Sequence, residues 1–246
     1  MIYFLSDIHL GASYISDEKA LERAVCSLLD EMGADATHLF LLGDIIDYWF
    51  EYRNVVPRGY VRFLGSLAAL SDKGVKIVWL KGNHDIWMTD YLTTEIGCDI
   101  VDGVVDTVLL GKRFVMEHGD GVGGGSLVFR LLRRLFRSNT ARWFYAAIHP
   151  RWTVGFAHSW SSHSRKAGGY NRPDTTAIEI WAQKYVKAHG HIDNFIFGHL
   201  HSARQIKLGG DCMITFLGDS FRSFSYAKFD GNSVQLCRFK GPEVTK

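Results

Sequence analysis

His38-Leu39-Phe40-Leu41-Leu42-Gly43-Asp44 is the stretch from which the rest of the chain can be read. It is continuous apolar sequence of strand length, and a glycine then delivers a carboxylate where the strand stops. That position makes Asp44 a candidate ligand shared by two metal ions. Four other short apolar runs stop at residues able to hold a metal: Asp7-Ile8-His9, Gly82-Asn83-His84-Asp85, His118-Gly119-Asp120 and Gly198-His199-Leu200-His201. One Asp or His at a strand end is ordinarily a cap or loop residue. Five such ends in one chain point to a common site.

Upstream of this stretch, Ile2 to Leu5 reads as a first buried strand, and Asp7 and His9, two apart, can point the same way. Ser16-Asp17-Glu18 opens a crossover helix with Leu21, Val25, Leu28, Leu29 and Met32 on one face, ending at Gly33. Downstream come an aromatic loop (Tyr48, Trp49, Phe50, Tyr52), a second amphipathic helix near Tyr60 to Leu70 and a third strand from Val75 to Leu80. Strands alternating with helices over short links imply a largely parallel sheet whose ligands gather at its carboxyl edge. From Val101 to Met116 the pattern changes to a hairpin around Gly111-Lys112, so the second half should supply a mixed or antiparallel sheet. Asp174 can cap a helix from Thr175 to about His189, closed by Gly190. Phe195 to Phe197 reads as a buried strand, and Ile206 to Phe239 as closing strands with turns at Gly209-Gly210 and Asp230-Gly231.

With 246 residues and 47% hydrophobic content the chain can bury a substantial core, which excludes disordered and fibrous classes. The net charge of +2 conceals an uneven distribution. No acidic residue stands between Asp120 and Asp174, where Arg130, Arg133, Arg134, Arg137, Arg142, Arg151, Arg165, Lys166 and Arg172 are found. That segment suits an anionic partner, either a phosphate-bearing ligand or an acidic membrane surface. Within it Val128, Leu131, Leu132 and Leu135 share one helix face, and Arg130, Arg133, Arg134 and Arg137 lie about 200° round the helix. A helical lid or cap, 122–172, is therefore expected as an insertion within a single domain, 1–246. Cys26, Cys98, Cys212 and Cys237 form no C-x-x-C pair, and reduced thiols are the simpler reading. No signal sequence is expected at the start, and no apolar run approaches the ~20 residues that span a bilayer. The expected location is cytoplasmic, in solution or on a membrane surface.

The candidate ligands divide naturally. Asp7, His9 and His201 suit one divalent ion, Asn83, His118 and His199 a second, and Asp44 can bridge both. Two ions about 3.5–4 Å apart can bind phosphoryl oxygens and hold an ionised water for in-line attack, the chemistry that hydrolyses phosphate esters and anhydrides. Carboxylate, imidazole and amide donors without a thiolate admit Mn2+, Fe2+ or Zn2+, with manganese favoured. In order, D-I-H, G-D-I-I-D, G-N-H-D, H-G-D and G-H-L-H resemble the motifs of the calcineurin-like metallophosphoesterases over about residues 1 to 220. The resemblance implies an α/β fold, a two-sheet sandwich flanked by helices. It also implies that His84, paired with Asp85, is catalytic as an electrostatic stabiliser or proton donor.

A cationic, aromatic and apolar insertion beside such a site fits a substrate both anionic and lipidic. In this, and in Ser164-Arg165-Lys166-Ala167, the chain is similar to the UDP-2,3-diacylglucosamine diphosphatases of lipid A biosynthesis, peripheral enzymes of the cytoplasmic face of the inner membrane. That likeness implies cleavage of a nucleotide-linked lipid to UMP and 2,3-diacylglucosamine 1-phosphate. Its implied substrate contacts are Asn83, His84, Arg130, Ser164, Arg165 and His199, and nucleic acid is not an expected partner. One branch of those enzymes has arginine at the position of His84 and asparagine at that of Gly168. Two alternatives stay open: a general phosphoesterase acting on soluble nucleotides or phosphodiesters, and a metal-free binding scaffold.

Overall fold

The computed structural model describes residues 1–122, 127–149, 152 and 174–241, with the backbone alone over 127–130. Strand β1 (Ile2–Leu5), helix α1 (Glu18–Met32), β2 (His38–Leu42), α2 (Val61–Asp72), β3 (Lys76–Leu80), α3 (Tyr91–Ile96) and β4 (Asp99–Val101) wind one unit. There β1, β2, β3 and β4 pair in parallel. The hairpin β5 (Val105–Leu109) and β6 (Lys112–Glu117) precedes α4 (Leu127–Phe136) and α5 (Asn139–Ala146). Helix α6 (Thr176–His189), β7 (Asn194–Phe197), β8 (Arg204–Gly209), β9 (Cys212–Phe216), β10 (Ser225–Phe229) and β11 (Val234–Arg238) complete the described elements. The strand order is β11-β10-β1-β2-β3-β4 in one sheet and β5-β6-β7-β9-β8 in the other, and both sheets are mixed.

Side-chain alternation explains the layering. In the first sheet Leu5, Leu39, Leu41, Ile77 and Trp79 face α1, α2 and α3, packing on Leu21, Val25, Leu28, Phe63 and Leu67. Phe4, Phe40, Leu42, Val78 and Leu80 point the other way, onto Phe114, Met116, Ile196 and Phe229 between the sheets. The outer face of the second sheet, with Val115, Phe195, Phe197 and Phe216, packs on Ile178 and Ala182 of α6. The result is an α/β/β/α stack. Because the inner strands are covered on both faces, period-2 alternation is absent from them and the runs read as continuously apolar. Each large side chain so buried contributes roughly 1.5–3 kcal/mol.

Local signals set the helix ends. The Asp17 carboxylate accepts from the Ala20 amide at 2.8 Å to start α1, a cap contributing about 1 kcal/mol. Asp174 accepts from the Thr176 amide at 2.9 Å and α6 begins there. Two elements lie outside the sequence expectation. α3 is only six residues long, too short for a helical period to register, and Gly97, at φ 76°, stops it. Val101 belongs to the three-residue β4 of the first sheet, not to the hairpin, and Gly103, at φ 116°, turns the chain towards the second sheet.

Helices α4 and α5 fall inside the expected insertion, of which residues 123–126, 150–151 and 153–172 lie outside the described residues. The arginine stripe of α4 is not a solvated or membrane-facing surface throughout, as its spacing alone suggested. Arg133 and Arg137 turn inward onto carboxylates of the core, because buried Asp120 and Glu117 need cationic partners. The leucine face is turned outward instead, with Leu131 69% and Leu135 54% exposed, and Trp143, Phe144 and Trp152 are likewise open. Tyr145 of α5 packs on the core: its ring lies 4.9 Å from Phe50 and 4.5 Å from Trp87, centroid to centroid. The Trp87 indole donates to the Phe136 carbonyl at 2.8 Å. Glu51 fixes the loop beneath, accepting from the Trp49 indole at 2.9 Å and from the amides of Thr89 and Asp90 at 2.8 and 3.0 Å.

Candidate metal centre

The carboxyl ends of β1, β2, β3, β6 and β7 meet at one edge of the sandwich. Backbone bonds align the loops: the Asp7 amide donates to the Gly43 carbonyl at 3.1 Å, and the His9 amide to that of Asp44 at 3.0 Å. Asp7, His9, Asp44, His199 and His201 all adopt left-handed conformations, φ between 49° and 65°. Such backbone is strained for these residue types, by about 1–3 kcal/mol each, and strain of this kind persists where the surroundings over-determine it. Two glycines are required by space. A Cβ on Gly82 would lie 2.2 Å from Asp44 Oδ1, and one on Gly43 would lie 2.7 Å from His118 Nδ1.

Three sets of side chains bring potential ligand atoms within 4.8 Å of one another: Asp7, His9 and His201; His9, Asp44 and His84; and Asp44, His118 and His199. His201 Nε2 lies 3.3 Å from Asp7 Oδ1, and His118 Nε2 lies 3.4 Å from Asp44 Oδ2 and 3.2 Å from Asn83 Oδ1. Asp44 Oδ2 stands 3.7 Å from His9 Nε2 and 3.9 Å from His84 Nε2, at the middle of the group. Asp7 Oδ1 is buried and accepts no hydrogen bond among the described residues. A buried carboxylate oxygen left without a donor costs stability unless a cation completes it, so the residues present fit divalent ions.

Outer contacts fix which imidazole nitrogen faces inward. His118 Nδ1 donates to the Leu42 carbonyl at 2.7 Å and His84 Nδ1 to the Asp47 carbonyl at 2.9 Å, leaving Nε2 of each toward the site. His9 Nδ1 lies 3.1 Å from Asp47 Oδ1, so Asp47 orients two imidazoles. His201 Nδ1 stands 3.9 Å from Asp219 Oδ2. Burial raises the Asp7 carboxyl, but His9 and His201 outweigh it and hold the group at about 2. Asp44 is likewise held well below the usual carboxylate range, burial being overcome by His118 and His84. Burial lowers the His118 imidazole, yet Asp44 draws it well above its ordinary value. His199, lowered first by burial and then by neighbouring His118, falls to about 4, and burial lowers His201 as well.

Asp7, His9, Asp44, Asn83, His84, His118, His199 and His201 thus lie together. Asp85 does not join them. It is fully buried and accepts from the Gly82 amide at 2.7 Å, the Ile45 amide at 3.1 Å and the Trp79 indole at 3.2 Å, holding the loop from behind. The partner of His84 is Asp47, not Asp85, since the backbone turn carries adjacent side chains to opposite sides. Asp47 stood within the G-D-I-I-D motif without a role. Asp219 gave no signal, because it follows a strand with no histidine near it in sequence. Ser164 and Arg165 lie outside the described residues, as does the Arg130 side chain.

Known proteins are similar to this chain over most of its length. A UDP-2,3-diacylglucosamine hydrolase of Porphyromonas gingivalis is 39% identical over 251 residues, covering 96% of each chain. One of that name from Shewanella baltica is 24% identical over 233 residues, covering 95% of each. A solved archaeal phosphodiesterase, 11% identical, covers 96% of this chain and 98% of its own with a TM-score of 0.49. The sequence model of the calcineurin-like phosphoesterases matches residues 1–203, which carry every converging side chain above, and the chain belongs to that family.

Proposed function

We propose that the protein is a hydrolase cleaving the diphosphate of UDP-2,3-diacylglucosamine, releasing UMP and 2,3-diacylglucosamine 1-phosphate. The observation that carries the hydrolytic part is Asp44, central to two sets of ligand atoms at the meeting of two sheets. The substrate comes from likeness to the Porphyromonas gingivalis hydrolase over nearly the whole chain. Asp7, His9 and His201 would hold one divalent ion and Asn83, His118 and His199 a second, with Asp44 common to both and Mn2+ the favoured metal. Bound there, the ions would supply Lewis acidity toward phosphoryl oxygens and would lower the pKa of water so that hydroxide is available as the nucleophile near neutral pH.

The chain's own residues do the rest. His84, its Nδ1 hydrogen tied to Asp47, presents Nε2 to the phosphoryl group and can donate a proton there when cationic. A sugar 1-phosphate leaves as a low-pKa anion, so charge stabilisation matters more than proton donation to it. Residues 122–172 act as a cap, and the outward leucine and tryptophan side chains of α4 and α5 suit acyl chains or the lipid surface that holds them. Action at the cytoplasmic face of a membrane follows from that substrate. Among the described residues no helix is long and apolar enough to cross one.

The test is turnover of UDP-2,3-diacylglucosamine beside the acyl-free UDP-sugar by Mn2+-loaded protein in H2(18)O, read by phosphorus NMR. The expected outcome is strong preference for the lipid with label in UMP, the mark of attack at the uridine-side phosphorus. Equal turnover, or none on the lipid, favours a phosphoesterase of soluble nucleotides. Metal analysis giving well under one ion per chain favours the scaffold.

A further inference from the structure

Arg133 and Arg137 stand one turn apart on the chain of α4 and the residue following it, and both reach Asp120. Arg133 Nε donates to Asp120 Oδ2 at 2.7 Å, and its Nη2 lies 3.7 Å from Glu117 Oε1. Arg137 Nη2 donates to the same Asp120 oxygen at 3.3 Å and to the Gly82 carbonyl at 3.1 Å, while Nη1 pairs with Asp102. This is not surface decoration. The Asp120 side chain is 1% and that of Arg137 11% exposed. Breaking such a pair strands a buried charge. Gly121 is shaped to the arrangement: a Cβ there would lie 2.5 Å from Glu117 Oε1 and 2.7 Å from Arg133 Nη2.

The partners are the loops that carry the candidate ligands. Gly82 precedes Asn83 and is packed so closely on Asp44 that a Cβ would strike its carboxylate. Asp120 follows His118 by two residues. A displaced α4 therefore releases the Gly82 carbonyl, and the shift reaches both Asn83 and Asp44. We propose that Arg137, seconded by Arg133, is a positioning residue coupling the seating of α4 to ion retention, so that a docked helix and a complete ligand set form one state. This rests on the two-ion reading of the centre and adds to it. By linkage the coupling is reciprocal: if a seated α4 strengthens ion binding, bound ion must hold α4 in place by the same factor.

The experiment measures Mn2+ affinity by electron paramagnetic resonance and amide hydrogen exchange over residues 131–148, in the full-length protein. Mn2+ should slow exchange in α4 and α5 of the wild type. Arg137→Met should weaken Mn2+ binding about tenfold or more and cancel that protection. Arg133→Met should do so to a smaller extent, and exposed Arg134→Met should match the wild type. Arg137→Lys should fall between, since one ammonium cannot hold Asp102, Asp120 and the Gly82 carbonyl together. If Arg137→Met does not fold, Asp102→Asn, which removes only an outer partner, decides instead, with several-fold weaker binding expected. Wild-type affinity within twofold in Arg137→Met, or in Asp102→Asn where that variant decides, or no Mn2+-dependent protection in the wild type, overturns the coupling and leaves the two-ion site standing. A wild type that binds no Mn2+ overturns both.

Discussion

Asp44 and its glycine neighbours set the tightest limits at the scale of single residues. Asp44→Ala should abolish turnover and reduce bound Mn2+ below one ion per chain while circular dichroism stays unchanged; an active variant would remove the bridging role. Gly82→Ala tests the same carboxylate from the other side. Its methyl group must displace Asp44 or the backbone, so ion binding should fall sharply although no ligand is altered. Asp47→Asn keeps the size of the side chain but removes the charge facing His9 and His84, and should lower kcat or ion affinity by about 10–100-fold, the usual range for such supporting partners. The residue types and order of the converging groups were legible in the sequence, because each follows an apolar run. The role of Asp47 was not, since spacing along a loop does not reveal which imidazole a carboxylate turns to. The pairing of His84 with Asp85 failed for the same reason.

Elements are held by their ends. Arg113 donates through Nε and Nη2 to both oxygens of Asp106, at 2.9 and 2.8 Å, and through Nη1 to the His189 carbonyl at the end of α6. Tyr185 adds a bond to Asp106 at 2.9 Å, so one carboxylate fastens α6 to the β5–β6 hairpin. The hydrogen bond from Arg113, foremost, holds Asp106 below the ordinary carboxylate range. A depressed folded value means that the stabilisation is complete above the unfolded value of about 4 and is lost as pH falls through the lower folded value. Asp106→Asn should therefore lower Tm at pH 7, and the gap should close as pH falls through the depressed folded value, below the ordinary carboxylate range. A gap unchanged with pH would assign the effect to packing. Helices α1, α2 and α6 and the longer strands were readable from period and caps. α3 and β4 were not, because six and three residues are shorter than the signals that identify them, and tertiary pairing with β3 creates β4.

Over the whole molecule, the proposed function together with the outward leucines and tryptophans predicts that adsorption to lipid is apolar rather than purely ionic. Leu131→Ser with Trp143→Ser should weaken binding to anionic phospholipid vesicles by about tenfold at low and at high salt alike. A loss seen only at low salt would restore the arginines to that role. The two-sheet stack followed from motif order and from the hairpin after Val101, whereas the inward turn of Arg133 and Arg137 could not, since helical spacing fixes which residues share a face but not which face meets the core. The ties across the sheets have a further consequence. His118 Nδ1 reaches the Leu42 carbonyl, the His199 amide reaches Asp7 Oδ2 at 2.9 Å, and the Ser220 amide reaches the Asp7 carbonyl at 3.1 Å. The centre is thus a rivet through both layers, and cations held there would leave in the same event that parts them. Loaded protein should melt in one transition whose midpoint climbs with free Mn2+, and a chelator should lower that midpoint to the value of the ion-free fold.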